Sequence, residues 1–146
     1  KLVVRKGKED SVSLTRGQLL VTTVKSVADG KYNKKLVEKW FAEKTNLIFQ
    51  DRFAEMLSLF DFKNTPKLSI REMKKRWGSF LNQDKIFLNP KLIHTSKDCI
   101  DYVIVHELCH MKYKNHDKKF YDFLDKKFPK WEKVKDKLET IGSTVC

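Results

Sequence analysis

The sequence predicts an α+β fold in which a small antiparallel or mixed sheet packs beside one buried helix. Three observations support it. Short β-type runs separated by turn residues open the chain. From Tyr32 to Phe62 there is neither Gly nor Pro, and apolar residues recur at helical spacing. An almost uninterrupted apolar run, Ile100–Val105, then leads straight into His106-Glu107-Leu108-Cys109-His110.

Leu2–Val4, Val12–Leu14 and Leu19–Val24 read as two or three antiparallel strands, with Gly7-Lys8-Glu9-Asp10 and Arg16-Gly17 as turns. Leu36, Val37, Trp40, Phe41, Leu47, Ile48, Met56, Leu57 and Phe60 follow a helical period, as one long helix or two in tandem. Asn64-Thr65-Pro66 ends that region. Lys67–Arg71 alternates as a strand, with Leu68 and Ile70 on one face. After the loop Asn82-Gln83-Asp84, Ile86–Leu88 makes another strand, and Asn89-Pro90 begins a turn or short helix through Ile93. Thr95 and Asp98 stand at capping-box spacing and open a helix from about Lys97 to Lys112. Asp117–Lys127 forms the next helix, with Phe120, Phe123, Leu124 and Phe128 on one side. Pro129 divides it from a last helix, Lys130 to about Ile141, built on Trp131, Val134 and Leu138.

Three of the four histidines, His106, His110 and His116, fall within one short stretch. On a helix, residues four apart lie on one face, so His106 and His110 aim two imidazoles at one metal ion. Glu107 projects beside that ion, where a general base takes a proton from water. The motif has only three specified letters and occurs by chance on amphipathic helices. A buried helix carrying two histidines and a glutamate, however, needs something to satisfy them. His116 lies six residues past His110, about 600° of rotation, so the helix must end near Met111 or Lys112 for it to join. Asn115 is suited to a left-handed helix end there. Asp122 and Glu132 are the alternative third ligands, but three histidines with an open position suit one catalytic Zn2+.

The 146 residues make one domain, and 40% hydrophobic with 12% aromatic content marks a globular chain. No apolar run reaches membrane-span length and no signal-peptide pattern opens the chain, although the first residue is Lys1 rather than Met. Cys99, Cys109 and Cys146 are too few for a disulfide framework, and the first two sit on the central helix as small core residues. A reduced, cytoplasmic protein is expected. The net charge of +12 draws anions, nucleotides and nucleic acid included. Much of it is Lys spread through helices, which equally describes a solvated face.

Three ordered blocks, IREMKKRWGSF at 70–80, IFLNPKL at 86–92 and DYVIVHELCHMKYKNHDKKFY at 101–121, resemble the YgjP-like metal-dependent hydrolases. These are minimal zincins, loosely akin to the SprT-like and WLM proteases. The resemblance covers roughly Pro66 to Trp131. It implies a zincin-like fold over 1–146, with N-terminal strands and helices at 1–65 and a motif-bearing catalytic core at 66–131. It further implies His106, His110 and His116 as ligands, Glu107 as catalytic acid/base, and a zinc-dependent hydrolase of mostly metallopeptidase character. Phe80 stands where this family commonly has Cys, and Tyr121 where it commonly has Trp; neither is expected to touch the metal.

The block around Arg76-Trp77-Gly78-Ser79 supplies the substrate-binding candidates Arg71, Arg76, Trp77 and Gly78. An edge strand at 67–73 beside the cleft pairs with an extended peptide, Gly78 allows close backbone approach, and Arg71 or Arg76 suits an oxyanion or a phosphate. The opposing account makes Trp77 core and the arginines structural. Three functions compete: a zinc peptidase acting on peptide or protein, a metal-dependent nucleotide or phosphoanhydride hydrolase, and a nucleic-acid-associated module with a structural metal. A structural site needs a fourth ligand, and Cys109 is poorly aimed for it.

Overall fold

The structure, a computed structural model, describes residues 1–82 and 84–142; Gln83 of the expected loop and Cys146 lie outside the described residues. The chain forms two compact units, Lys1–Thr45 and Asn46–Cys146.

In the first unit, β1 (Leu2–Lys6), β2 (Ser11–Thr15) and β3 (Gln18–Thr23) form a sheet of order β1-β3-β2. Arg16 (φ 49°) and Gly17 (φ 74°) both lie in the left-handed region between the paired residues Thr15 and Gln18. That two-residue geometry matches the strand twist and makes β2–β3 a hairpin. The expectation of antiparallel strands fails for β1, which pairs parallel to β3 with Leu2 opposite Leu19. Residue pattern sets which face a strand buries, not which way its neighbour runs. The long Gly- and Pro-free stretch is one unbroken helix, α1 (Gly30–Leu57).

The second unit is built around α2 (Lys97–Cys109), whose residues from Cys99 to Cys109 are all buried. At about 1.5–3 kcal/mol for each large apolar side chain removed from water, this helix is the main source of core burial. Against it pack α3 (Lys118–Lys127), α4 (Trp131–Ile141) and a second sheet of β4 (Lys67–Ile70), β5 (Gly78–Leu81) and β6 (Lys85–Leu88). The sheet order is β4-β6-β5, with β4 parallel and β5 antiparallel to β6. β5 was not anticipated; the expected strands were Lys67–Arg71 and Ile86–Leu88.

The buried charge on α2 has a partner. Asp101 accepts from Arg52 Nε at 2.7 Å and Nη2 at 2.9 Å, a two-pronged pair that ties α2 to the C-terminal half of α1. Arg52 also donates Nη1 to Glu55 at 2.7 Å. The start of α2 differs from expectation. Ser96 is its N-cap, and the Thr95 hydroxyl instead donates to Leu92 O at 2.7 Å, closing the 3-10 turn Pro90–His94.

Candidate metal centre

The last turn of α2 carries His106 and His110 on one face, and both are buried. The helix ends sooner than the expected Met111 or Lys112, with His110 already at its C-cap. Met111 N then donates to Leu108 O at 3.0 Å and Tyr113 N to Cys109 O at 3.0 Å, a tightening turn that carries the chain off the helix axis. Asn115 has no left-handed conformation; among the described residues, the positive-φ residues other than glycine are Arg16 and Asn82. The early turn brings the exposed His116 back to the pair. One ligand nitrogen from each of His106, His110 and His116 lies within 4.8 Å of the other two. Among the described residues, neither Asp122 nor Glu132 belongs to this group.

The surroundings fix the rings. His110 Nδ1–H donates to the carbonyl of Tyr113 at 3.0 Å, so the ring's lone pair is on Nε2. His106 Nδ1 is buried and has no hydrogen-bond partner among the described residues; Glu107 Oε1 lies 3.6 Å away. Burial first, then the neighbouring His110 and Lys135, pushes the His106 pKa down to about 3, so its ring is neutral at ordinary pH. Phe120, fully buried, sits beneath all three imidazoles, with ring centroids 5.1, 4.6 and 4.9 Å from His106, His110 and His116. Its position on an apolar helix face was legible, but its place as the floor of the site was not. Phe80 and Tyr121 border the centre too: Phe80 stacks near His110 at 6.5 Å and Tyr121 lies 6.3 Å from His116.

Glu107 is fully buried next to β5. A Cβ added to Gly78 would come within 2.7 Å of Val103 Cγ1, 3.2 Å of Glu107 Cγ and 3.3 Å of Glu107 Oε1. Only glycine lets the strand lie this close to the carboxylate. Trp77 is 3% exposed and belongs to the core cluster, whereas Arg71 and Arg76 are exposed on the loop before β5. That loop has an anchor the sequence did not reveal. Asn89, buried, donates Nδ2 to Met73 O at 2.7 Å and Arg76 O at 3.0 Å. Cys109 is buried, and burial pushes its thiol up to about 12.

The family model described as YgjP-like, metallopeptidase domain, matches residues 1–141. Among solved structures, the chain is similar to the metallopeptidase zymogen of Pyrococcus abyssi abylysin, with 20% identity and a TM-score of 0.61 over 67% of this chain and 99% of that one. It is also similar to the metallopeptidase zymogen of Methanocaldococcus jannaschii jannalysin, at 27% identity and TM-score 0.55 over 63% and 94%. No curated protein matches the chain. No helix among the described residues is long and apolar enough to cross a membrane.

Proposed function

The chain belongs to the YgjP-like metallopeptidase family, and from that premise we propose a zinc peptidase whose ion is held by His106, His110 and His116 and whose general base is Glu107. A metal-dependent peptidase needs a metal ion, and the residues present fit one. His106 Nδ1 is a buried polar atom with no protein hydrogen-bond partner among the described residues, on a ring kept neutral by its burial. Neutral imidazoles are the ligand form that zinc takes.

When bound, zinc supplies a Lewis acid that polarises the scissile carbonyl and lowers the pKa of a coordinated water to about 7. The rest is the protein's work. A carboxylate oxygen of Glu107 takes the proton from the attacking water and returns it to the leaving amine, a role worth about 10²–10⁴-fold in rate. Tyr113 O holds the His110 ring in one tautomer and orientation. Phe120 closes the underside of the three rings with apolar surface and keeps stray water out. β5 is an edge strand of its sheet, and with Gly78 against Glu107 its backbone is where an extended substrate pairs.

The observation that carries this reading is the convergence of three histidine nitrogens within 4.8 Å, two of them from the C-terminal end of the helix that also buries Glu107 and the third from the segment that follows it. The test measures zinc stoichiometry and hydrolysis of casein, with nucleoside triphosphates in parallel, for the wild type, Glu107→Gln and His116→Ala. Glu107→Gln should keep zinc and lose cleavage, while His116→Ala should lose zinc. A fully active Glu107→Gln variant would end the general-base assignment, and triphosphate hydrolysis without casein cleavage would end the peptidase.

A further inference from the structure

Arg71–Arg76, the loop between β4 and β5, carries Arg71, Lys74, Lys75 and Arg76 against the single acid Glu72, all exposed. Among the described residues, Arg71, Lys74 and Arg76 form no salt bridge. Arg71 lies over the Phe87 ring instead, at 5.6 Å. A run of cations on a loose loop is ordinary solvated surface. This loop is held from beneath. Asn89, 1% exposed, takes the carbonyls of Met73 and Arg76 with its amide at 2.7 and 3.0 Å, and its own N–H donates to Trp77 O at 2.8 Å. The backbone that displays the charges is therefore set in place before any ligand arrives, which lowers the ordering cost of binding.

The position of that charge has a direction. Arg76 precedes Gly78 by two residues, about 7 Å of extended chain, and Gly78 is the point where β5 meets Glu107. The inference rests on the reading of β5 as the strand that pairs with substrate. Antiparallel pairing, the more stable mode, runs the substrate from the Leu81 end towards Gly78. Its N-terminal side then lies along the uncharged Ser79, Phe80 and Leu81, and its C-terminal side passes the basic loop. We propose that the loop Arg71–Arg76 selects polypeptide substrates with acidic residues one to three positions C-terminal to the scissile bond.

The experiment has two arms. In the first, the zinc-loaded chain digests denatured casein and the cut sites are sequenced by mass spectrometry. Asp and Glu should be enriched in the three positions after the cut and not in the three before it. Equal frequency on both sides, alongside Glu107-dependent cleavage, overturns the inference and leaves the peptidase reading intact. The second arm needs no turnover. Fluorescein-labelled twelve-residue Glu/Ala and Lys/Ala peptides are titrated into the Glu107→Gln protein at low and high salt. The acidic peptide should bind on the order of tenfold tighter, from several exposed pairs of about two- to fivefold each, and the gap should shrink with salt.

Lys74→Ser with Arg76→Ser should bring the ratio close to one, whereas Lys126→Ser with Lys133→Ser, the same charge removed elsewhere, should not. Equal loss in both double variants overturns the loop assignment in favour of net charge. A single-stranded oligonucleotide of equal charge that outcompetes the acidic peptide overturns it in favour of nucleic acid.

Discussion

Replacing Arg52 by Met should destabilise the second unit by about 3–5 kcal/mol, the usual consequence of leaving a buried charge without its partner. The structure sets the size. Arg52 is 9% and Asp101 6% exposed, and two short hydrogen bonds join them across α1 and α2. Arg52→Met keeps much of the side-chain volume but strands the Asp101 carboxylate among the core residues of α2. Asp101→Asn should cost less, because Arg52 keeps Glu55, whose side chain is 59% exposed. The double variant Arg52→Met/Asp101→Leu removes both charges and should recover most of the loss. The assay is urea unfolding of the chelator-treated chain, so that zinc binding adds nothing to the measured stability. With whole-domain stabilities near 5–15 kcal/mol, Arg52→Met should bring the midpoint down by a large fraction of its value. A loss under 1 kcal/mol, or a double variant worse than both singles, would refute the argument that this pair anchors α2.

Three more expectations follow from the centre and its surroundings. Gly78→Ala drives a methyl into Val103 and against Glu107; it should cost about 1–3 kcal/mol from overpacking and lower kcat with zinc content unchanged, and a kinetically silent variant would detach β5 from the carboxylate. Phe120→Ala should cost about 3–5 kcal/mol in the zinc-free chain and weaken zinc binding, as measured by competition with a chromophoric chelator. Cys99 and Cys109 should resist a thiol reagent at pH 8 in the native state, since both are buried and the Cys109 thiolate is disfavoured. Because the folded Cys109 pKa is raised from 9.0 to about 12, its stabilisation is full below pH 9 and is lost as the pH rises, by about 1.4 kcal/mol per unit at most. Cys109→Ala should flatten that alkaline slope in urea titrations.

The pattern His106-Glu107-x-x-His110 was legible because a helix places residues four apart on one face whatever surrounds it. The path to His116 was less so. It depends on α2 ending at Cys109, and that end comes from backbone bonds to Leu108 O and Cys109 O, not from a capping residue. Helix α1 and the strands β4 and β6 follow from periodicity, but β5 contains a glycine whose reason, contact with Glu107, lies 29 positions away in sequence. The Arg52–Asp101 pair spans 49 positions, and its only local trace is an aspartate inside an apolar run. Asn89 looked like a turn residue before Pro90; its second role, holding Met73 and Arg76, belongs to tertiary structure.

The hydrogen bond that orients His110 ends on the main-chain oxygen of residue 113, and this has a consequence for heredity. No codon specifies that acceptor. Any residue that follows the same turn supplies it, so the contact survives a substitution at 113 even where the packing of the Tyr113 ring on Phe123 is lost. Proline is the exception, since it lacks the N–H that bonds Cys109 O. What selection guards between His110 and Tyr113 is the number of residues, and a one-codon insertion there should do more harm than most missense changes.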